Sequence, residues 1–363
     1  RQARGIRWCC VWSSMEAFKT YLGSRTVSSL TQSRDPLVLD EGLSPSEAFH
    51  VLAQASIRAA PVVSQTSNQI VGTLDLRDTC KFFVEVHNAK QQAQSDASHA
   101  KSHLQKLSEE EEVVDASTDI PITPIPKKSG QSGVLLGLEK HPSMSHTNEG
   151  GAGIGYLAKM RPFKVFPPDA TLLEVAHPLS HGSHIVGVSG GGADKGGLSK
   201  IVTQGILFRE ICSELCKLQS TVGDVMRTPV LTMPSSGLAF EAFQLIASKG
   251  ISGIAVVDDT GSILQNTSSS DLKMWAAGES EGKEGAVSMH TDTVEEFLVK
   301  LRASSSGSKT RYPCSICHPD DSLGHAAGML EKTGYHRVYV VNSNDDRRPC
   351  GVISISDLLR TAC

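Results

Sequence analysis

Three stretches of the chain place a hydroxyl or carboxylate three residues ahead of an aspartate, at the junction of an extended run and an apolar-periodic one. They are Ser354 and Asp357 in "GVISISDLL", Ser268 and Asp271 in "SSSDL", and Asp75 and Asp78 in "VGTLDLRD". A carboxylate at the start of a helix can accept hydrogen bonds from both adjacent hydroxyls of a ribose. A Ser or Thr three residues earlier can bond an adenine edge or the backbone. Phosphate then requires cations or helix N-termini opposite the sugar. Capping of the following helix needs the same pair. Recurrence at one structural place argues for more than capping, because a cap can be built from several residue types.

A second constellation is "YHRVYVV", Tyr335 to Val341. Val338, Val340 and Val341 are β-branched and suit a strand buried on both faces. His336 and Arg337 at its mouth are either solvated or face something anionic.

The elements that must position these residues recur. The pattern of apolar-periodic helix, strand, polar turn, strand and closing helix appears in "SPSEAFHVLAQASIRAAPVVSQTSNQIVGTLDLRDTCKFF", in "GLAFEAFQLIASKGISGIAVVDDTGSILQNTSSSDLKMW" and in "SLGHAAGMLEKTGYHRVYVVNSNDDRRPCGVISISDLL". A degenerate copy, with a Gly-rich loop in place of the turn, lies at "TLLEVAHPLSHGSHIVGVSGGGADKGGLSKIVTQGILFREI". Each copy is a β-α-β-β-α unit that buries one sheet face, and a unit of about 60 residues is marginal alone, so pairing of units is expected.

The expected division is repeat one at 18–86, a polar linker at 87–153, repeat two at 154–219, repeat three at 220–280 and repeat four at 281–363. A flexible loop is expected at 302–313 within the last. The linker is poor in aromatics and reads as disordered.

The 363 residues carry a formal net charge of −4, which leaves no basic footprint for nucleic acid. No run of about 18 apolar residues predicts a membrane span. The nine cysteines are scattered through predicted strands and helices, as suits reduced thiols in the cytoplasm or nucleus. The first fifteen residues are basic without an acid, a weak likeness to a transit peptide.

The tandem copies, ending in "VGTLDLRD", "SSSDL" and "GVISISDLL", resemble cystathionine-β-synthase (CBS) domains. Four in this order resemble the regulatory gamma subunits of AMP-activated protein kinase. The resemblance implies an α+β fold of four CBS repeats, forming two Bateman modules in a pseudo-symmetric disc. It implies regulatory ligands AMP, ADP and ATP with no cofactor or metal, and protein kinase catalytic (alpha) and scaffold (beta) subunits as partners. A stand-alone module for adenosyl ligands, or a scaffold with decayed sites, is the alternative.

By the same resemblance, His336, Arg337, Arg58 and His184 contact phosphate, with Arg58 matching the equivalent Arg in the first copy. Asp78, Asp271 and Asp357 hold ribose, and Thr73, Asp75, Thr203, Ser268, Ser354 and Ser356 complete the nucleotide sites. The second copy departs from this pattern. Ile185 replaces the Arg that should follow His184, and Ile206 stands where an acid would hold ribose, so an empty ribose site is expected there. The third copy has no cation in "GISGIAVV".

Other groupings carry less. "CSICH" at Cys314 to His318 has the spacing of a haem attachment or half a zinc site, without a second ligand pair. His177, His181 and His184 approach helical spacing, but Pro178 is expected to end that helix early. "GGGADKGG" and "EGGAGIGYL" lack the spacing and setting of phosphate loops. Cys212 and Cys216, one turn apart, are expected to pack as small apolar groups. No nucleophile elbow, kinase loop or zincin motif is present, so no catalysis is expected.

Overall fold

The computed structural model describes residues 2–32, 34–78, 80–86, 88–89, 92, 153–190, 197–279, 288–304 and 314–363. Arg1–Lys81 and Gly153–Cys363 form one compact unit, and Phe82–Ala152 a second, in which 82–86 are helical. The predicted linker lies almost wholly outside the described residues.

The first unit contains four three-stranded sheets of one design. In chain order they are β1 (Leu39–Asp40), β2 (Ala59–Val63) and β3 (Ile70–Asp75); β4 (Val165–Phe166), β5 (Ile185–Ser189) and β6 (Leu198–Thr203); β7 (Thr232–Pro234), β8 (Gly253–Val257) and β9 (Ile263–Ser268); and β10 (Ile316–Cys317), β11 (Arg337–Val341) and β12 (Pro349–Ser354). In each, a short first strand pairs parallel with the second, which pairs antiparallel with the third. A helix makes the parallel crossover, as right-handed connection of parallel strands requires. All four hairpins shift register near the turn, at Val62/Val63, Val188/Ser189, Val256/Val257 and Val340/Val341. The degenerate second copy therefore folds like the others.

The crossover helices start where their caps predict. Ser44 with Glu47 and Thr171 with Glu174 form capping boxes ahead of Pro45–Gln54 and Leu172–Ser180. Gly250 and Gly334 end Ala239–Lys249 and Leu323–Thr333 in the left-handed conformation at φ 62° and 68°. Pro178 does not end its helix early, since Leu172–Ser180 runs two residues beyond it. Pro178 sits in the last turns, where burial beside Leu179 offsets the single backbone bond it forfeits.

Sheet faces pack within pairs of repeats. Ala59 and Ile70 of repeat one meet Ile185, Leu198 and Ile201 of repeat two. Ala255 and Ile263 of repeat three meet Tyr339 and Val341 of repeat four. Helices join the pairs: Pro45–Gln54 of repeat one packs on Ser269–Glu279 of repeat three, and Leu172–Ser180 of repeat two packs on Ile355–Arg360 of repeat four.

Two boundaries differ from expectation. Arg302 to Ser304 belong to the helix Val294–Ser304 rather than to a loop, because Arg302 Nη1 donates to Gln265 Oε1 at 2.7 Å and anchors the last turn. That helix packs on repeat three, with Phe297 edge-on to Phe243 at 5.5 Å between ring centroids, so it extends the third copy although it falls in the stretch assigned to the fourth.

Candidate nucleotide site

The sheet register puts the predicted site residues at common addresses. The third strand ends at Asp75, Thr203, Ser268 or Ser354, paired with Ala59, Ile185, Gly253 or Arg337. One residue before those partners stand Arg58, His184, Ser252 and His336. Arg58 therefore occupies the address of His336, not that of Arg337 as the resemblance implied, because Ala59 takes the register position of Arg337. Three residues after each third-strand end come Asp78, Ile206, Asp271 and Asp357.

The four strand entrances converge. Arg58, His184 and Arg337 lie near enough to His336 that, after burial itself, their charges help hold its imidazole well below the ordinary value. Burial and the neighbouring Arg337 push Arg58 down to about 10. Arg337 Nη2 donates to Ser252 Oγ at 2.6 Å. Gly253 makes this approach possible, since a Cβ there would run into the Arg337 guanidinium and the Thr267 carbonyl. The third copy, which has no cation of its own, accommodates the cation of the fourth.

A cavity of about 370 Å³ opens between repeats one and two, within the range for small-molecule sites. Its basic lining is the guanidinium groups of Arg34, Arg58 and Arg209 with the imidazoles of His184 and His336, both lowered chiefly by burial, against Asp35 as the carboxylate; Leu37, Ala59, Pro61, Ile185 and Ile201 give it apolar walls. Thr203, Gln204 and Gly205 bring the start of the helix Gln204–Leu215 to its surface. Arg58 Nε and His336 Nδ1 are shut off from solvent and have no hydrogen-bond partner. Unpaired buried polar atoms are costly, so the Arg58 donor beside the His336 imidazole marks a place where a ligand anion would be stabilised.

His184 Nδ1 lies 2.7 Å from Asp75 Oδ2, at ion-pair distance but without hydrogen-bond alignment. Arg77 holds the same carboxylate through Nε at 3.0 Å and Nη2 at 3.2 Å. Burial alone would raise Asp75, but His184 and Arg77 outweigh it and keep the group well below the usual carboxylate range. Asp75 thus serves the protein's own cations.

The other predicted ribose carboxylates are also engaged. Arg161 Nε contacts Asp78 at 2.8 and 2.6 Å; burial nevertheless raises the Asp78 carboxyl. Ser354 N and Oγ donate to Asp357 Oδ2 at 3.0 and 2.6 Å, while Arg227 Nε and Arg360 Nη1 reach Oδ1 at 2.5 and 3.0 Å. Asp271 Oδ2 accepts from Ser268 N at 2.7 Å and Oγ at 3.0 Å. The capping alternative is therefore realised in repeats three and four. Ser356 Oγ meets Gln204 Nε2 at 2.9 Å, and Thr73, paired opposite Pro61, does not line the cavity.

Sequence reasoning missed Arg34, Asp35 and Arg209. Their signal was positional: Arg34, Arg161 and Arg227 each precede the first strand of a repeat by four or five residues. Elsewhere, Cys317 is buried in β10 with its thiol pushed up to about 12, chiefly by burial. His177 stacks on His181 with centroids 4.5 Å apart, while His184 departs to the strand entrance. Among the described residues there is no cluster suited to a metal ion, and no helix is long and apolar enough to cross a membrane.

Segments 27–85, 222–273 and 310–362 match the family model described as CBS domain. Three of the four repeats are thus similar to CBS domains. The repeats have the CBS-domain fold, and the second copy, which the model leaves unmatched, shares their topology. Across 93% of this chain and 100% of the other, the structure resembles that of protein MJ1225 from Methanocaldococcus jannaschii, described as a proposed archaeal homolog of g-AMPK, with a TM-score of 0.62 and 13% identity. At that identity the likeness shows the fold alone. Protein SDS23 of Scheffersomyces stipitis is 20% identical over 332 residues, 88% of this chain. Protein sds23 of Sclerotinia sclerotiorum is 30% identical over 103 residues, covering 28% of this chain and 18% of the relative. The chain spans 57% of the length of the Scheffersomyces relative.

Proposed function

We propose that the chain is a non-catalytic regulatory module that binds an adenine nucleotide in the cavity between repeats one and two. The observation that carries this reading is the pair of buried, unpartnered nitrogens, Arg58 Nε and His336 Nδ1, on one cavity with apolar walls. Phosphate would satisfy both, the base would lie on Ile185, Ile201 and Pro61, and Thr203 and the helix start behind it offer polar edges. Nucleotides of different phosphate number would favour different arrangements of the repeats, which is how binding would regulate.

Calorimetry with AMP, ADP and ATP tests it. Arg58→Gln should weaken binding by about ten- to a hundredfold, the worth of roughly 1.5–3 kcal/mol for a hydrogen bond to a charged group. No binding by the wild-type chain would overturn the reading.

The finer reading makes the chain an energy-sensing subunit acting on kinase catalytic and scaffold subunits, supported by the fourfold repeat and its resemblance to gamma subunits. The alternative is a stand-alone adenosyl-binding module. That alternative is favoured by the sequence relatives, which are named SDS23 and not kinase subunits. Pull-down against both kinase subunits separates them.

A further inference from the structure

The segment leading into each repeat crosses to the paired repeat at a fixed register. The Arg161 carbonyl accepts from Thr73 N at 2.9 Å, Arg227 and Val352 exchange backbone bonds at 2.8 and 3.0 Å, and the Arg34 carbonyl accepts from Ile201 N at 3.2 Å. Thr73, Val352 and Ile201 each lie two residues before the end of the third strand. Arg161, Arg227 and Arg34 are therefore equivalent. In repeats one and four the guanidinium so delivered meets the carboxylate at the ribose address, as Arg161 on Asp78 and Arg227 on Asp357. In repeat two that address is Ile206, 3% exposed and packed in the core. Arg34 then lines the cavity, and among the described residues its side chain has no hydrogen-bond or ion-pair partner. The corresponding lead-in to repeat four lies outside the described residues.

The charge at the sugar position is thus reversed relative to the other copies: a cation faces the ligand where a carboxylate would accept hydroxyls. Dinucleotide folds make the same exchange when an Arg accommodates a ribose 2′-phosphate in place of the acid that holds the free hydroxyl. Arg58 Nε and His336 Nδ1 are shut off from solvent without partners, whereas Arg34, its neighbour Asp35 and Arg209, whose Nε donates to Gln32 Oε1 at 2.9 Å, are exposed. Two phosphates at separate ends suit this lining better than one.

We infer that the cavity between repeats one and two is built for an adenosine nucleotide carrying a second anionic group on its sugar, with Arg34 as the residue that selects it. The inference rests on the nucleotide reading above and deepens it.

Isothermal titration with adenosine 3′,5′-bisphosphate, AMP and 2′-deoxy-AMP tests it on the full chain. The bisphosphate should bind at least about tenfold tighter than AMP, as one added charge-assisted contact would give. AMP and 2′-deoxy-AMP should bind alike, since no carboxylate holds the diol. Arg34→Gln should abolish the preference, so that the bisphosphate and AMP bind the variant alike. Ile206→Asp, which restores the acid that Arg161 and Arg227 meet elsewhere, should lower bisphosphate affinity toward that of AMP; a circular dichroism melt checks that it folds. Binding of AMP with no advantage for the bisphosphate, or an advantage that survives Arg34→Gln, overturns the inference while leaving the nucleotide reading intact. Binding of none of the three ligands overturns both.

Discussion

At the end of β12 in repeat four, Ser354 and Asp357 close a capping box, and Asp357 also receives Arg227 and Arg360. At the end of β6 in repeat two, Thr203 caps Ile206 N at 3.1 Å, no acid follows, and a cavity lined by three guanidinium groups lies alongside. Around Asp357 the motif's carboxylate is satisfied internally, whereas beside Thr203 no acid follows and the adjoining cavity carries the unpartnered Arg58 Nε and His336 Nδ1. A motif can thus be complete because it is a structural knot, and a gap in it can be the place where space and unpaired charge remain. In repeat four a nucleotide would have to displace Arg227 and Arg360 from Asp357.

The sharpest way to break this contrast is Asp357→Ala. It removes the cap, worth about 1 kcal/mol, and charge-assisted bonds worth about 1.5–3 kcal/mol, while Arg227 and Arg360 are exposed enough to be hydrated afterwards. With partial overlap of these contributions, denaturant unfolding should show a loss of about 3 kcal/mol, with nucleotide affinity at the repeat-two cavity unchanged. If unfolding is unaffected and binding is lost, Asp357 is a ligand residue and the contrast fails.

The complementary variant is Arg58→Met. Removing a buried guanidinium whose Nε has no partner, beside Arg337 and His336, relieves desolvation and like-charge repulsion. Stability should hold or rise by roughly 1–2 kcal/mol even as the cavity loses its anion, in the direction measured when buried charges are replaced by apolar groups. A fall of that size would show that Arg58 is structurally paired and that repeat two is as self-satisfied as repeat four.

How much of this was legible in the sequence follows the same divide. The four-copy architecture, the strand-helix order and the end motifs could be read from period and propensity, since Val338, Val340 and Val341 or Glu47 behind Ser44 have local reasons to be where they are. His184, His336 and Arg58, which line the cavity, stood out in the sequence at strand entrances and through the family resemblance. Whether an aspartate is free or already held was not legible, because Arg161 and Arg227 reach Asp78 and Asp357 from 83 and 130 residues away. Arg34 was missed because its place follows from a backbone bridge to Ile201, and the Arg ahead of each first strand stands out only once the strands are located.

Acid should distinguish the two regions as well. His336 is held well below its ordinary value of 6.5, mainly by burial and then by Arg58, His184, Arg337 and Arg209. The unfolded chain therefore binds more protons than the folded one once pH drops below about 6.5, and stability falls as pH falls through that value by up to ~1.4 kcal/mol per unit. Above it the contribution is constant. His336→Gln should reduce the slope between about pH 6.5 and 5, the remainder coming from His184, which burial also lowers. An identical slope in the variant would place the titration elsewhere. Saturating AMP should flatten it too, because bound phosphate favours the imidazolium.

The smallest effect concerns the third copy, whose lack of a cation looked like decay. Ser252 and Gly253 instead receive Arg337, with Ser252 Oγ 2.6 Å from Nη2. Ser252→Ala removes one hydrogen bond to a partly buried charge, so the expected cost is about 1 kcal/mol. Arg337→Gln should cost a similar amount, and the double variant Ser252→Ala/Arg337→Gln should cost little more than either alone, since both break one contact. Denaturant midpoints for the three proteins read this coupling directly. Additive losses would mean that the two side chains act independently. Repeat three would then be a bystander, and the internal satisfaction seen around Asp357 would stop at repeat four. A coupling near 1 kcal/mol would instead extend that satisfied state across the second pair of repeats, leaving the first pair as the one with cationic groups still to be matched by a ligand.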